Sequence, residues 1–441
     1  MNPNISEITS ETAPAPEKKA PKTVSLKLLS LLLAAAIIVS SLVSVLITNS
    51  SLKRKYDKQL NDVIALALDD TYYTLDRVKQ LFAADYLGDL SGLTDDQITD
   101  ALIRMYIALT GDEYAFYWNK EEYALYNQSQ QGHEVGIGVV ISVDTDGALS
   151  IIYIHRESPA EKAGLLVGDR IVAVEDARIS EMEYNDVVSK IKGEVGTEVD
   201  LTVEREGEET VIKVKRDRYT SDSVVSRMLS DSKTAYIRIL EFDGTTVEQF
   251  AKAYLELENN GAEAFVFDVR GNPGGALSSV MGVLSFLLGD DIPLIEISDS
   301  EGVIIQNSSR ATYCTDDYSK QKTTVHDKKT VILTDGGTAS AGELFTAVMN
   351  GKYVTVGDKT FGKGTMQNIY QLPNGGALKL TFAKYSAPGV PDYNGEGITP
   401  DVQQSLGDDV KDKNIFTLTE EQDTQLQKAL EVLAEPTNET N

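Results

Sequence analysis

One uncharged apolar segment stands out near the start of the chain. No charged residue lies between Lys27 and Lys53, and residues 28–47 consist of Leu, Ala, Ile, Val and Ser. A helix of this length rises about 30 Å, which matches the hydrocarbon core of a bilayer. Residues 28–48 are therefore predicted to be a transmembrane signal anchor, with a cleaved signal peptide and a buried core helix left open as alternatives. Residues 1–27, rich in Pro, Ser, Thr and Glu, are predicted to be a disordered tail.

The next segment has a helical pattern of apolar positions. Apolar residues in 60–68 recur at helical spacing, and Asp95 opens a further helix that runs through Leu109. No catalytic signature occurs here. Residues 52–125 are interpreted as an N-terminal helical region used for packing or oligomerisation.

A strand-rich pattern begins at Glu134. We predict a strand Val135–Ile141 entered through glycines, further strands at 151–154, 201–203 and 211–214, and a helix from Met182 to Lys192. Residues 134–217 are therefore predicted to form a small β-rich domain.

From Thr234 strands and helices alternate. Strands are predicted at 235–240, 264–269, 330–334 and 354–357, and helices at 246–260, 277–288, 344–349 and 418–434. This order is typical of an α/β core with parallel strands. Pro436 is predicted to end the last helix.

Ser340 lies where a predicted strand passes into a helix. The free N–H groups and the dipole at a helix N-terminus favour developing negative charge, so this position suits a nucleophile. Ser340-x-x-Glu343 is also a capping box, in which the serine only caps the helix, and both roles can coexist.

Two further motifs are candidates for chemistry. The turn that contains Gly274 and Gly275 exposes backbone N–H groups that could hold a phosphate or an oxyanion, but it lacks the P-loop ending and the GxGxxG spacing. Lys363 lies between Gly362 and Gly364. If desolvated, it can act as a neutral general base towards a serine; the alternative is a solvated turn lysine.

Composition excludes several classes of function and several kinds of site. The 441 residues carry 41 Lys and Arg against 68 Asp and Glu, a net charge of −27 that argues against a nucleic-acid-binding function. Cys314 is the single cysteine, so an intrachain disulfide and a Cys-rich zinc site are excluded. His133, His155 and His326 show no metal-ligand spacing and no motif, which favours lysine as the base. We expect neither a metal nor a cofactor.

Three motifs follow one another within residues 134–217: Gly136-Ile137-Gly138-Val139, then Ser158-Pro159-Ala160 with Ala163-Gly164-Leu165, and then Gly168-Asp169-Arg170-Ile171. With these motifs the segment resembles a PDZ domain. The resemblance implies that Gly136, Ile137, Gly138 and Val139 bind a peptide C-terminus by β-augmentation. The structural alternative is that the two glycines merely permit a tight strand entry.

Four glycine-containing motifs mark the α/β core: Gly337–Glu343, Thr360–Gln367, Asp268–Gly275 and Gly395–Asp401. With these motifs most of the chain resembles the carboxyl-terminal processing peptidases of the S41 serine peptidase family. The resemblance implies a catalytic triad of Ser340, Lys363 and Gln367. It also implies an oxyanion hole formed by Gly274, Gly275 and Ala341.

The resemblance implies an α+β fold: a crotonase-like (ββα) α/β protease core at 218–405 with an inserted PDZ domain, an N-terminal transmembrane helix and helical terminal segments. Residues 406–441 would form a C-terminal helix and tail. The expected function is a membrane-anchored serine endopeptidase that recognises and cleaves protein or peptide substrates through their C-terminal regions. We expect a single-pass protein of the cell membrane with an extracytoplasmic protease domain, and a homodimer formed through the terminal helices.

Two other functions remain open from the sequence. The chain could be a catalytically inactive PDZ scaffold that binds C-terminal peptides, although retention of Ser340, Lys363 and Gln367 argues against it. A crotonase-like core could also act on acyl thioesters, but the sequence offers no basic cluster suited to coenzyme A.

Overall fold

The structure is a computed structural model that describes residues 78, 92–143, 148–321, 323, 325–411 and 413–435. The predicted anchor at 28–48 lies outside the described residues, as does most of the segment before residue 92. No helix in the described part of the chain is both long and apolar enough to cross a bilayer. From Asp96 onward the described residues belong to one folded unit.

Two helices and a short strand precede the β-rich domain. They are α1 (Asp95–Thr110), β1 (Phe116–Trp118) and α2 (Lys120–Gln130). Asn119 and Glu122 form a capping box that starts α2, as their i, i+3 spacing allows. The start of α1 at Asp95 agrees with the sequence pattern.

The β-rich domain is built mainly on one antiparallel sheet. Its elements are β2 (His133–Gly136), β3 (Val139–Val143), β4 (Leu149–Ile154), α3 (Pro159–Ala163), β5 (Arg170–Val174), β6 (Ala177–Arg178), α4 (Tyr184–Ile191), β7 (Glu198–Arg205), β8 (Glu208–Lys215) and β9 (Asp217–Thr220). The main sheet has the order β3-β4-β5-β7-β8, β6 pairs with β5, and β2 pairs separately with β9. Alternate residues of β7 are fully buried in the domain core.

Two element predictions for this domain were wrong in detail. The single strand Val135–Ile141 is two strands, because Gly138 adopts φ +80° and breaks the extended backbone. The helix starts at Tyr184 rather than Met182, because the residues just before it form a 3₁₀ turn at Ile179–Glu181.

The larger α/β core follows. Its elements are β10 (Val224–Met228), β11 (Thr234–Ile239), α5 (Thr246–Asn259), β12 (Ala264–Asp268), α6 (Leu277–Leu288), β13 (Pro293–Asp299), β14 (Gly302–Asn307), α7 (Arg310–Tyr313), α8 (Asp316–Ser319), β15 (Lys329–Thr334), α9 (Ala341–Asn350), β16 (Val354–Gly357), β17 (Thr365–Gln371), β18 (Ala377–Ser386), β19 (Val402–Gln403) and α10 (Thr424–Ala434).

A mostly parallel sheet forms the centre of this core. Its order is β10-β11-β12-β15-β16-β19, and only β10 runs antiparallel to its neighbour. The strand β12 is apolar almost throughout because both faces are covered. Phe265 and Phe267 pack into the cluster that contains α5, α6 and α9, while Val266 packs against α10 on the opposite face.

The last helix is shorter than its apolar pattern predicted. It begins at Thr424, not Leu418, because the Asp423 side chain accepts a hydrogen bond from Leu426 N–H and caps the helix. Residues 415–417 form a separate 3₁₀ turn.

A second, antiparallel sheet lies beside the parallel one. Its order is β1-β18-β13-β14, with β17 also paired to β18. The strand β18 is therefore central, and its partner β17 follows the loop that carries Lys363. This arrangement brings Tyr385 of β18 to Ser340, the residue before α9.

Candidate active site

Ser340 lies at the sharp turn between β15 and α9. Its backbone has φ +52° and ψ −116°, a conformation that a residue with a Cβ adopts only where its surroundings hold it. Thr338 anchors the turn, since its hydroxyl donates to Val269 O at 2.8 Å. The serine therefore stands at the N-terminal end of α9, where the helix dipole favours negative charge.

The buried carboxylate of Glu343 joins this turn to the loop that carries Lys363. Glu343 Oε2 accepts from Ser340 N–H at 3.0 Å and from Lys363 N–H at 2.7 Å. Glu343 Oε1 accepts from the Thr360 hydroxyl at 2.6 Å and from Gly362 N–H at 2.7 Å. Four donors thus replace the water that this fully buried group has lost. The glutamate half of the predicted capping box is present, since Glu343 accepts from Ser340 N–H, whereas Glu343 N–H donates to the backbone oxygen of Ser340. The same glutamate also fixes the lysine loop, which the sequence did not indicate.

Lys363 is half-buried, and its ammonium faces an aromatic ring. Nζ lies 4.5 Å from the centre of the Tyr114 ring and forms no ion pair or hydrogen bond with the described residues. Burial, and next the positive charge of Lys379, lower the pKa of Lys363 below its ordinary value. These surroundings differ from those of a solvated turn lysine.

The three residues of the predicted triad share one cavity but are not hydrogen-bonded to one another. Ser340, Lys363 and Gln367 all line a cavity of about 370 Å³. Gln367 Nε2 donates to Thr365 Oγ1 and to Thr381 Oγ1, each at 3.2 Å. Its amide is therefore held by two threonines of β17 and β18 and does not contact Lys363.

The predicted oxyanion residues also meet beside Ser340. Gly275 and Ala341 line the cavity, and neither N–H donates to a described residue. Gly274 N–H donates to Asn272 Oδ1 at 2.8 Å. A Cβ on Gly274 would lie 2.7 Å from Ser340 Cβ, so a glycine is needed for this approach. The free donors are thus Gly275 and Ala341, whereas Gly274 is engaged.

Tyr385 of β18 is a site residue that the sequence pattern did not reveal. Its hydroxyl lies 3.3 Å from Ser340 Oγ and 3.3 Å from Lys363 O. Burial raises the pKa of this phenol, so the group keeps its proton and can donate. The segment 377–386 contains no motif, and Tyr385 reaches the serine through the pairing of β18 with β13 and through its N–H, which donates to Gly364 O at 2.9 Å.

A second cavity of about 370 Å³ lies along the β-rich domain. It is lined by all four residues of the predicted peptide-binding strand, Gly136, Ile137, Gly138 and Val139, and by Val188 and Ile191 of α4. The carbonyls of Ile137 and Gly138 accept from Ala160 N–H at 2.7 Å and His155 N–H at 3.0 Å. A groove between a strand and a helix, with an apolar floor, is the geometry that β-augmentation requires.

Sequence comparison identifies both domains. The Peptidase family S41 profile matches residues 233–404, and a PDZ domain profile matches residues 151–205. Each match lies within the core or the β-rich domain described above.

Relatives extend the likeness over most of the chain. A carboxyl-terminal-processing protease of Picosynechococcus is 30% identical over 78% of this chain and 80% of its own. The carboxy-terminal processing protease CtpA of Bacillus subtilis is 29% identical over 88% of this chain and 78% of its own. A solved Bacteroides fragilis structure assigned to the S41 proteases shares the fold, with a TM-score of 0.53 at 16% identity over 79% of this chain and 92% of that one. The chain therefore belongs to the S41 family of serine peptidases and, within it, to the carboxyl-terminal processing proteases that carry a PDZ domain.

Proposed function

We propose that the chain is an active endopeptidase in which Ser340 is the nucleophile and Lys363 the general base. One observation carries this proposal: the strained Ser340 turn and an unpaired, half-buried lysine with a lowered pKa line the same cavity. A serine hydroxyl attacks a peptide only when a base takes its proton, and a desolvated lysine can supply that base.

In the proposed reaction, neutral Lys363 takes the proton of Ser340 Oγ as the oxygen adds to the scissile carbonyl. The ammonium so formed then gives a proton to the leaving amine, which departs and leaves an ester on Ser340. Water hydrolyses the ester with the same lysine as base, which restores Ser340 and releases the new carboxylate. Lys363 must first turn from the Tyr114 ring to Ser340, a movement that its four-carbon side chain allows.

The negative oxygen of the tetrahedral intermediate would be held by Gly275 N–H and Ala341 N–H. Both are free of other partners among the described residues, and the dipole of α9 adds to their effect. Gly274 N–H could join only after Asn272 releases it. Gln367 would orient Lys363 after the same side-chain movement, when it leaves Thr365 or Thr381.

The PDZ domain would capture the substrate by its C-terminus. Its backbone N–H groups at Gly136–Val139 would bind the terminal carboxylate, and Val188 and Ile191 would receive an apolar last side chain. This reading predicts that an unfolded substrate ending in Val is cleaved faster than the same substrate ending in Asp. Equal rates for the two would remove the capture role.

Membrane anchoring through residues 28–48, with the protease domain outside the cytoplasm, is part of the same proposal. It is supported by the uncharged run in the sequence. Retention of the full chain in membranes after carbonate washing, with the core accessible to external protease, would support it. Release by the wash would contradict it.

Two further expectations stay predictions: the crotonase-like description of the core, and the homodimer. A monomeric mass for the full chain in detergent would exclude the dimer.

The catalytic proposal is tested with an unfolded protein substrate that has an apolar C-terminus. Ser340→Ala and Lys363→Ala should each abolish cleavage while the circular dichroism spectrum and melting temperature are retained. Ser298→Ala and Lys384→Ala, on exposed positions of β13 and β18, serve as matched controls and should cleave at the wild-type rate. Cleavage by purified Ser340→Ala at the wild-type rate would refute the assignment.

A further inference from the structure

The lining of the active-site cavity differs in charge from the strongly acidic protein as a whole. The chain has a net charge of −27. Yet the described residues that line the cavity include two lysines, Lys363 and Lys379, and no aspartate or glutamate. Clefts lined by one sign of charge attract ligands of the opposite sign.

The two lysines are placed differently, and only one has a role in the proposed reaction. Lys363 must be neutral when it acts as a base, so it cannot also be the group that keeps a positive charge in the active enzyme. Lys379 lies on β18, opposite Ile369 of β17 on one side and Phe116 of β1 on the other. Its half-buried ammonium lies 5.5 Å from the centre of the Trp118 ring.

The surroundings of Lys379 hold the side chain without neutralising it. Trp118 stacks on Tyr126 with ring centres 4.2 Å apart, which gives the lysine a rigid aromatic wall. The charge of Asp112 acts on Lys379 from a distance. The Asp112 carboxylate, however, already accepts hydrogen bonds from Tyr114 N–H and from the N–H and hydroxyl of Thr381.

Lys384, on the same strand, differs from Lys379 in its exposure and in its ion pairing. Lys384 is exposed and pairs with Asp392 at 3.6 Å, whereas Lys379 forms no ion pair with any described residue. A half-buried cation without a carboxylate in an ion pair is costly, and it is retained most readily where a ligand supplies the missing negative charge.

We propose that Lys379 is a carboxylate-binding subsite of the active-site cavity, which selects peptides that present a carboxylate close to the scissile bond. The carboxylate is either the substrate's own C-terminus or an Asp or Glu side chain. This proposal rests on the proposed peptidase function and adds a second anionic recognition point besides the PDZ groove. A charge-assisted hydrogen bond of this kind should favour the acidic substrate about 10- to 100-fold in kcat/KM.

The test compares two pairs of peptides with the full-length enzyme. One pair differs in a C-terminal carboxylate against a C-terminal amide. The other pair is amidated and differs in Asp against Asn within four residues of the mapped cleavage site. Each pair is measured with the wild type, with Lys379→Met and with Lys384→Met as the matched control.

We expect one pair to show the preference in the wild type and in Lys384→Met, and to lose it to within about threefold in Lys379→Met. The pair that responds tells whether the terminus or a side chain is bound. A preference that arises only in the PDZ groove would survive in Lys379→Met, so its survival overturns the proposal. The absence of any preference in both wild-type pairs also overturns it.

A charge-retaining variant and a binding measurement complete the peptide test. Lys379→Arg retains the charge and should keep the preference. If Lys379→Met does not turn over, binding of the same pairs is measured by calorimetry on Ser340→Ala with and without Lys379→Met, with the same expected loss. Failure of the wild type to cleave any peptide would refute the proposed peptidase function, while the binding comparison would still decide the subsite.

Discussion

At the scale of single residues, the buried Glu343 determines how the two proposed catalytic groups face each other. Its two oxygens accept from Ser340 N–H and Lys363 N–H and from two further donors in the lysine loop. An amide in its place would turn an NH₂ group towards donors. The distance between serine and lysine therefore depends on one carboxylate.

We predict that Glu343→Gln lowers the free energy of unfolding by about 1–3 kcal/mol, because a buried donor loses its acceptor. The value of kcat should fall at least about tenfold, since the lysine loop shifts from the serine. Urea unfolding and steady-state kinetics measure the two effects. Glu263→Gln, which alters only an exposed pair with Lys233, should change neither. An unchanged kcat in Glu343→Gln would show that the carboxylate does not position the lysine.

The pKa of Lys363 leads to a second prediction at this scale. Burial and the charge of Lys379 lower that pKa, and the proposed base is the neutral amine. Activity should therefore rise with pH through a midpoint below the ordinary lysine value. Lys379→Met removes the like charge, so the midpoint of the kcat/KM profile should move to higher pH. A midpoint that stays in place, or moves lower, would contradict the electrostatic coupling of the two lysines.

At the scale of elements, the turn after β12 is fixed by its close pairing with the backbone at Phe242. Phe242 N–H donates to Gly274 O at 2.8 Å, and Ala276 N–H donates to Phe242 O at 2.6 Å. This pairing leaves Gly275 N–H directed away from Phe242 and available beside the serine. The turn is thus shaped by two neighbouring segments and not by its own sequence alone.

Gly275→Ala should disrupt that turn. The residue has φ +135°, and an added Cβ would lie 2.1 Å from Phe242 O. We expect a lower melting temperature together with a loss of kcat of about 10²-fold, since one oxyanion donor is displaced. Gly261→Ala is the matched control, because it has φ +92° with nothing within 4 Å of the added carbon. Equal effects from the two changes would indicate backbone strain alone, without displacement of the donor.

The elements differ in how far their sequence predicts them. The helix over Leu277–Leu288 was predicted at its observed bounds, because a long apolar pattern and a glycine stop act locally. The break at Gly138 and the late start of α10 were not, because each depends on one residue's backbone angle or side-chain cap.

The candidate site, too, could be predicted from the sequence only in part. Motifs pointed to Ser340, Lys363 and Gln367, which line one cavity. The sequence did not predict that Tyr385, Tyr114 and Lys379 belong to the site, because their positions follow from strand pairing and from a loop distant in sequence. The orientation of the Lys363 side chain over Tyr114 could not be read from residue types.

At the scale of the whole molecule, a buried ionic network ties the C-terminal helix to the strand that carries the oxyanion turn. Arg270 is fully buried and bonds Asp268 and Asp423, the latter through two contacts of 2.8 Å. Asp423 also caps α10. Docking of the last helix and the geometry after β12 are therefore linked through one guanidinium group.

Asp423→Ala should be strongly destabilising. It leaves the guanidinium of Arg270 short of a partner and removes the cap of α10, at a cost of about 3–5 kcal/mol. Guanidinium chloride unfolding measures the loss. Glu431→Ala, on the same helix but in an exposed pair with Lys428, should cost less than about 1 kcal/mol. Similar losses for both changes would mean that the buried network does not hold the helix.

The central claim, that Lys363 activates Ser340 for attack, is tested most directly by a fluorophosphonate that reacts only with an activated serine. Peptide mass spectrometry of the labelled full chain should place the adduct on Ser340. The labelling rate should fall at least about 10²-fold in Lys363→Met, because no other base takes the serine proton. An adduct on another residue, or an unchanged rate in Lys363→Met, would contradict the account.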